Sequence, residues 1–380
     1  MQNLVYCDYS ATTYVKKEVL DEMLPYFTMN FGNASAVYSL GRISKNAIEQ
    51  SRKKVSNVLN CNSNEIYFTA SGSEADNMIL LGIARANKNK GNHIITSKIE
   101  HLAVLNTCHE LEKEGFDVTY IDVDKNGRID LYQLENSITS NTILISIMSA
   151  NNEVGTYQPI EQIGMIAKEH SVIFHTDAVQ AIGNIDIDVK KMNIDALSLS
   201  AHKFYGPKGI GAAYIKSNIN FDPVILGGHQ EHCKRAGTEN VAGIVGLGKA
   251  IELSKKNINE HNTKISNLKK RLVDYIKHHI DGAVINADIE EKLPGNISFY
   301  INGIDSRSLV MMLDMNGICV SSGSACNSQI QTPSHVLTAM GIKEKEALST
   351  VRISLGDMNT LDDIEYIYYV LKNIVLSFKN

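Results

Sequence analysis

The residue types able to do chemistry gather first at Ala196-Leu197-Ser198-Leu199-Ser200-Ala201-His202-Lys203, followed by Phe204-Tyr205-Gly206-Pro207-Lys208-Gly209-Ile210-Gly211. The first part alternates like a buried strand and ends on a His-Lys pair. The Gly/Pro turn after it continues neither helix nor strand. A lysine at the end of a core strand is partly desolvated, which lowers its pKa and makes its amine a nucleophile for carbonyls. That is the chemistry of a Schiff-base lysine, and pyridoxal phosphate is the commonest partner for one. A lone lysine at a strand end more often only snorkels, so the assignment depends on what else reaches the same rim.

Asp177, in His175-Thr176-Asp177-Ala178-Val179-Gln180, sits inside an apolar run. A buried aspartate is costly without a cationic partner, and a protonated pyridine nitrogen would supply one. It precedes Lys203 by 26 residues, the length of one βαβ step, which would let both face one pocket from neighbouring strand ends. Ser71-Gly72-Ser73-Glu74-Ala75 opens a helix, where backbone N–H groups and hydroxyls seat a phosphate, although Ser-Gly-Ser before a helix is usually just a cap. Glu100-His101 offers an imidazole able to stack on a ring and move protons, and Ala150-Asn151-Asn152-Glu153-Val154-Gly155 is an amide-rich loop.

The elements that must carry these groups alternate. Apolar, β-branched runs at 65–70, 93–97, 117–123, 142–149, 172–179, 196–200 and 210–215 are mostly separated by helical patterns such as 75–87, 103–114 and 160–169. This predicts an α/β fold with a mainly parallel seven-stranded sheet and ligands at the carboxyl ends of its strands. Helical stretches at 16–29 and 40–59 precede the sheet. A long charged helix over 241–279 leads into a smaller α/β unit with strands at 296–301, 318–322 and 351–355. Thr360, with Asp363 three residues on, caps a closing helix.

With 43% hydrophobic and 21% charged residues in 380, the composition is that of a soluble globular chain with a sizeable core. A net charge of −5, with scattered Lys and Arg, leaves no footprint for direct nucleic-acid binding. No signal peptide or membrane-length apolar run is visible, which points to the cytoplasm. Six dispersed cysteines without C-x-x-C suggest no disulfide framework.

Several of these residues also carry a family resemblance, along nearly the whole chain. They are Asp8-Tyr9-Ser10-Ala11-Thr12-Thr13, Glu100-His101, Asn151-Asn152-Glu153-Val154-Gly155-Thr156, Asp177-Ala178-Val179-Gln180, Ser200-Ala201-His202-Lys203, Arg235-Ala236-Gly237-Thr238-Glu239-Asn240 and Ser321-Ser322-Gly323-Ser324-Ala325-Cys326. The chain resembles the cysteine desulfurases of the NifS/IscS type, class V of the fold-type I pyridoxal-phosphate enzymes. The resemblance implies a large cofactor-binding domain over 15–255, and a small domain from 1–14 with 256–380 that carries a catalytic-cysteine loop.

It also implies roles for individual residues. Lys203 would bind the cofactor and later move protons, Asp177 would pair with the pyridine nitrogen, and Gln180 would lie near the phenolic oxygen. His101 would stack on the ring and transfer protons. Gly72, Ser73, Ser200 and His202 would hold the phosphate, with Thr238 reaching it from the second subunit of a homodimer. Asn152 would touch cofactor and substrate, and Arg352 would clamp the substrate carboxylate. The implied reaction converts L-cysteine to L-alanine. Sulfur passes to Cys326 as a persulfide, then to an acceptor such as an iron–sulfur scaffold or a tRNA-thiolation protein.

Some positions depart from the family pattern. Tyr14 stands where proline is common, and Gly32-Asn33-Ala34-Ser35-Ala36-Val37-Tyr38 lacks a proline, a hydroxyl and a histidine. Ser73 replaces a threonine. His229, His232 and Cys233 invite a metal reading, but no second cluster completes one, so no metal is expected. A selenocysteine lyase, another pyridoxal-phosphate lyase or aminotransferase, and a degenerate scaffold are the alternatives. The last requires a damaged site, and Lys203, Asp177, His101 and Cys326 are all present.

Overall fold

The computed structural model describes residues 4–287, 290–322 and 332–378. Its main sheet has seven strands in the order Ile66–Thr69, Gly211–Ile215, Ala196–Ser200, Ile173–Asp177, Thr142–Ser146, His93–Ser97 and Asp117–Ile121. Only Gly211–Ile215 runs against the others. All seven apolar runs thus become strands of one sheet, and the parallel strands share a carboxyl rim. Several strands are shorter than their apolar runs, because the residues after Ser146 and Asp177 turn out of the ladder to build the rim.

The connection from Asp177 to Ala196 corrects one expectation. It contains no helix, only turns and an Ile182–Ile185 bridge. Gly183 sits at φ 84°, and Asp188 caps the N–H groups of Lys190 and Lys191, local bonds that favour turns. Ala178, Ala181, Ile182, Ile187 and Val189 are still buried, so the crossover packs as a helix would. The stretch predicted as one helix over 16–29 is two, Lys17–Met23 and Pro25–Thr28, since Pro25 has no N–H for the ladder.

The helix Val241–His279 starts at Asn240, whose side chain accepts from Gly243 N–H at 3.0 Å. Its first half buries Ile244, Leu247, Ala250 and Ile251 in the core of the main sheet. Its second half buries Ile265, Leu268, Leu272 and Ile276 in a separate apolar core. The boundary expected between 255 and 256 therefore falls within one continuous helix. The second core lies on an antiparallel sheet ordered Ser321–Ser322, Thr350–Ser354, Asn296–Ile301 and Ala283–Asn286. The run predicted over 318–322 divides, because Ile318–Cys319 pairs instead with the amino-terminal Val5–Tyr6. Thr360 and Asp363 form the expected capping box. No described helix is long and apolar enough to cross a membrane.

Candidate active site

Lys203 closes a single helical turn, Ala201–Lys203, that follows the strand Ala196–Ser200. Its Nζ donates to the carbonyls of Ser10 and Ala11 at 2.5 and 2.9 Å. Burial holds the amine down at about 8, helped by the Arg352 guanidinium and opposed by Asp8 and Asp177. The amino-terminal loop is fixed to the same turn, since Thr13 donates to His202 O through both N–H and Oγ1 at 2.9 Å.

Lys203 faces a cavity of about 260 Å³. Gly72, Ser73, His101, Asn152, Asp177, Gln180, Ser200, His202 and Arg352 all reach its wall. Asp177 is the last residue of its strand and accepts Val179 N–H at 2.8 Å. Burial raises its pKa, with His101 the largest opposing influence. His101 caps the helix Leu102–Lys113, accepting Ala103 N–H on Nδ1 at 3.1 Å. The proton of its neutral ring is therefore on Nε2. Burial lowers its pKa against the pull of Asp177. His202 is pushed down to about 4, first by burial and then by Lys203 and Lys208, so it is neutral near pH 7. Gln180 Nε2 donates to Ser10 O at 2.9 Å.

Arg352 lies on the strand Thr350–Ser354, with Nη2 on Asp8 Oδ1 at 2.7 Å and Nη1 on Asn152 O at 3.0 Å. Its Nε is buried and has no partner among the described residues. Two contacts thus aim the guanidinium while its Nε–H stays unused among the described residues.

Two expected site residues remain, Thr238 and Cys326. Thr238 is exposed, and it does not line the cavity of its own chain. Cys326 lies outside the described residues. The loop with the suspected metal ligands is organised by a different residue. Cys233 Sγ lies 3.4 Å from His229 Nδ1, while the His232 ring stands edge-on to Tyr67. The three do not form a metal-ligand group among the described residues. Glu231, between them, turns inward to pair with Arg52 and accepts Phe68 N–H at 2.8 Å.

Two further acids were missed from the sequence. Asp8 anchors Arg352, as above. Asp76 lines the cavity, is fully buried and accepts from Ser198 Oγ. Burial and the neighbouring Asp177 raise its pKa well above the carboxylate range. A signal existed: Asp76 precedes Ile79, Leu80 and Ile83 by three, four and seven residues, placing it on their buried face.

The residues present fit a phosphate ester of a protonated aromatic base. At the amino end of the helix Gly72–Asn87, a Cβ on Gly72 would lie 2.6 Å from Val179 Cγ2 and 3.3 Å from Ser200 Cβ. Only glycine lets this helix end meet the rim so closely, leaving its N–H groups and the Ser73 and Ser200 hydroxyls for an anion. Asp177 offers a buried carboxylate to a cation on the same wall, and Lys203 offers an amine to a carbonyl.

Comparison with known proteins agrees with this chemistry. The aminotransferase class-V family matches residues 5–367. The chain is 55% identical over 377 residues to a cysteine desulfurase IscS of Clostridium botulinum, covering 99% of this chain and 95% of that protein. A solved NifS-like protein superposes with a TM-score of 0.93 at 38% identity, covering 99% of this chain and 100% of the other. A structure described as SspA in complex with cysteine gives a TM-score of 0.82 at 40% identity, over 94% of this chain and 100% of the other.

Proposed function

This chain belongs to the aminotransferase class-V family and is a cysteine desulfurase, and we propose that Lys203, His101 and Cys326 carry its chemistry on L-cysteine. The observation that carries this reading is the shared wall of Lys203, Asp177 and Arg352 around one cavity. Pyridoxal phosphate, when bound, supplies an electron sink for the bonds at the substrate's α- and β-carbons. Gly72, Ser73, Ser200 and His202 would hold its phosphate, Asp177 its ring nitrogen, and Gln180 its phenolic side.

Arg352 receives the substrate carboxylate, with Asn152 beside it. Lys203 Nζ, its pKa held near 8, takes the α-proton as a neutral amine and returns it as an ammonium. His101 exchanges protons only through Nε2, because Ala103 N–H occupies Nδ1. The Cys326 thiolate attacks the substrate sulfur. An S–S bond forms, the Cβ–S bond breaks, and its electron pair stays with the three-carbon product, which takes a proton and leaves as alanine. The persulfide then passes its outer sulfur to the thiolate of an acceptor protein. The exposed Thr238, outside its own cavity, supports a homodimer in which it serves the phosphate seat of the partner subunit.

Parent and Cys326→Ala proteins, each with bound cofactor, are incubated with L-cysteine and a thiol reductant. Equal alanine and sulfide are expected from the parent, and sulfide release at least about 100-fold lower from the variant at unchanged cofactor content. Sulfide formation that survives the substitution would sink the persulfide role.

The lysine has its own signature. The neutral amine is the nucleophile, so the rate at which apo-protein captures pyridoxal phosphate should rise with pH and level off above about 8. A rate still climbing steeply towards the ordinary lysine range would contradict the assigned environment.

A further inference from the structure

Ser334 and His335 stand side by side at the start of the short helix His335–Ala339 and touch two different loops of the catalytic rim. Ser334 Oγ donates to Glu153 Oε2 at 2.5 Å, while accepting the N–H groups of Val336 and Leu337. His335 Nε2 lies 2.9 Å from the carbonyl oxygen of Glu100, so this nitrogen carries the proton. Glu100 and Glu153 are the chain neighbours of His101 and Asn152.

These two contacts add to others that hold the same loops, among them Arg352 Nη1 on Asn152 O and Asn151 Oδ1 accepting the N–H groups of Glu153 and Val154. The Glu100 carboxyl is already fixed by Ser97 Oγ at 2.5 Å and by Met148 N–H. His101 has its Nδ1 occupied, as described. Asn151 Nδ2 donates to Ile99 O at 3.0 Å and, with the Met148–Glu100 bond, ties the two loops together. Val336, Leu337 and Met340 pack with Ile99, Met148 and Val154, so the segment is seated by buried apolar surface rather than by its polar contacts alone. Neither Ser334 nor His335 lines the cavity.

We infer that Ser334 and His335 are positioning residues that clasp the loops of His101 and Asn152 in register for the desulfurase reaction. The inference rests on the roles assigned to those two residues above. The clasp acts through the peptide before His101 and the side chain after Asn152.

The test compares holoenzymes of the parent, His335→Leu, His335→Gln, His335→Asn and Ser334→Ala. Glutamine reaches the Glu100 carbonyl with an N–H; leucine has no donor and asparagine is too short. Amide exchange over residues 97–104, followed by mass spectrometry, should be about tenfold faster in the leucine and asparagine variants and near parental in the glutamine variant. The visible circular dichroism of the bound cofactor, which senses the stacked imidazole, should change in the same order. The kcat for alanine should fall about tenfold with KM within about twofold, while Ser334→Ala should raise KM three- to fivefold through Asn152.

Parental exchange and dichroism in His335→Leu would overturn the inference, as would glutamine performing no better than asparagine. Should the leucine variant fail to fold, the glutamine–asparagine comparison decides. A parent enzyme that forms no alanine would refute the desulfurase assignment, while exchange and dichroism would still decide the clasp.

Discussion

Replacing Lys203 with alanine is expected to lower alanine formation from L-cysteine by about 10⁴-fold. The substitution removes the amine that binds the cofactor carbonyl and the base that moves the α-proton. It also removes the lysine donor from the Ala11 carbonyl and leaves the Ser10 carbonyl with Gln180 Nε2. Lys203→Arg separates these losses. A guanidinium keeps the positive charge and the hydrogen bonds to the amino-terminal loop, but it stays protonated and offers no free amine. Arginine should therefore retain most of the parent's thermal stability and none of its turnover. Borohydride should fix the cofactor covalently to the parent and to neither variant. A fall of less than tenfold in Lys203→Ala would remove this lysine from the reaction.

Arg52→Met is expected to cost about 3–5 kcal/mol of stability, the largest effect for a residue away from the cavity. The Arg52 and Glu231 side chains are 3% and 4% exposed and meet through two bonds of 2.7 and 2.8 Å. Arg52 also donates to Ile66 O at 2.7 Å, and its guanidinium lies over the Phe68 ring. Removing the arginine strands a buried carboxylate. Glu231 then has to pull out of the protein, although it is also the acceptor for Phe68 N–H on the edge strand of the main sheet.

Glu231, His232 and Cys233 have φ of 45°, 57° and 65°, each costing about 1–2 kcal/mol for a residue with a Cβ. The ion pair holds that loop down, so its loss should release the loop as well. Urea unfolding of Arg52→Met, Glu231→Leu and the double variant should show the pair losing less than the sum of the singles. A single-variant loss below about 1 kcal/mol would mean that the pair is not dry.

The neighbourhood of Asp177 and Lys203 was readable because an aspartate in an apolar run needs a cation nearby. Their spacing predicts neighbouring strand ends facing one pocket; Asp177 ends its strand and Lys203 follows the adjacent one by a single helical turn, joined through a crossover of turns instead of the expected helix. Apolar runs marked every strand of the large sheet, since strands buried on both faces are apolar nearly throughout. They missed Ala283–Asn286, an edge strand whose Val284 is exposed and whose pattern is correspondingly weak.

Glu231 was overlooked because His229, His232 and Cys233 drew attention by residue type. Only the folded sheet reveals an edge N–H at Phe68 in need of an acceptor. Ser334 and His335 were invisible for a related reason, as their partners lie 181 and 235 residues away. Cys326 was legible through its motif alone, and it remains outside the described residues.

The 39-residue helix Val241–His279 belongs to both cores. At 1.5 Å per residue it is a beam of about 58 Å. Near its middle, His261 and Lys16 grip the same Asp357 carboxylate at 2.6 and 2.5 Å, one from the helix and one from the amino-terminal part of the chain. A hinge between the two units would have to break this beam or tear out that rivet. The cheap motions left to the enzyme are small twists of the beam and movements of single loops. Such a frame sets the distance between Lys203 and Arg352 before substrate arrives, so a bound amino acid meets a gauge of fixed width instead of a closing jaw.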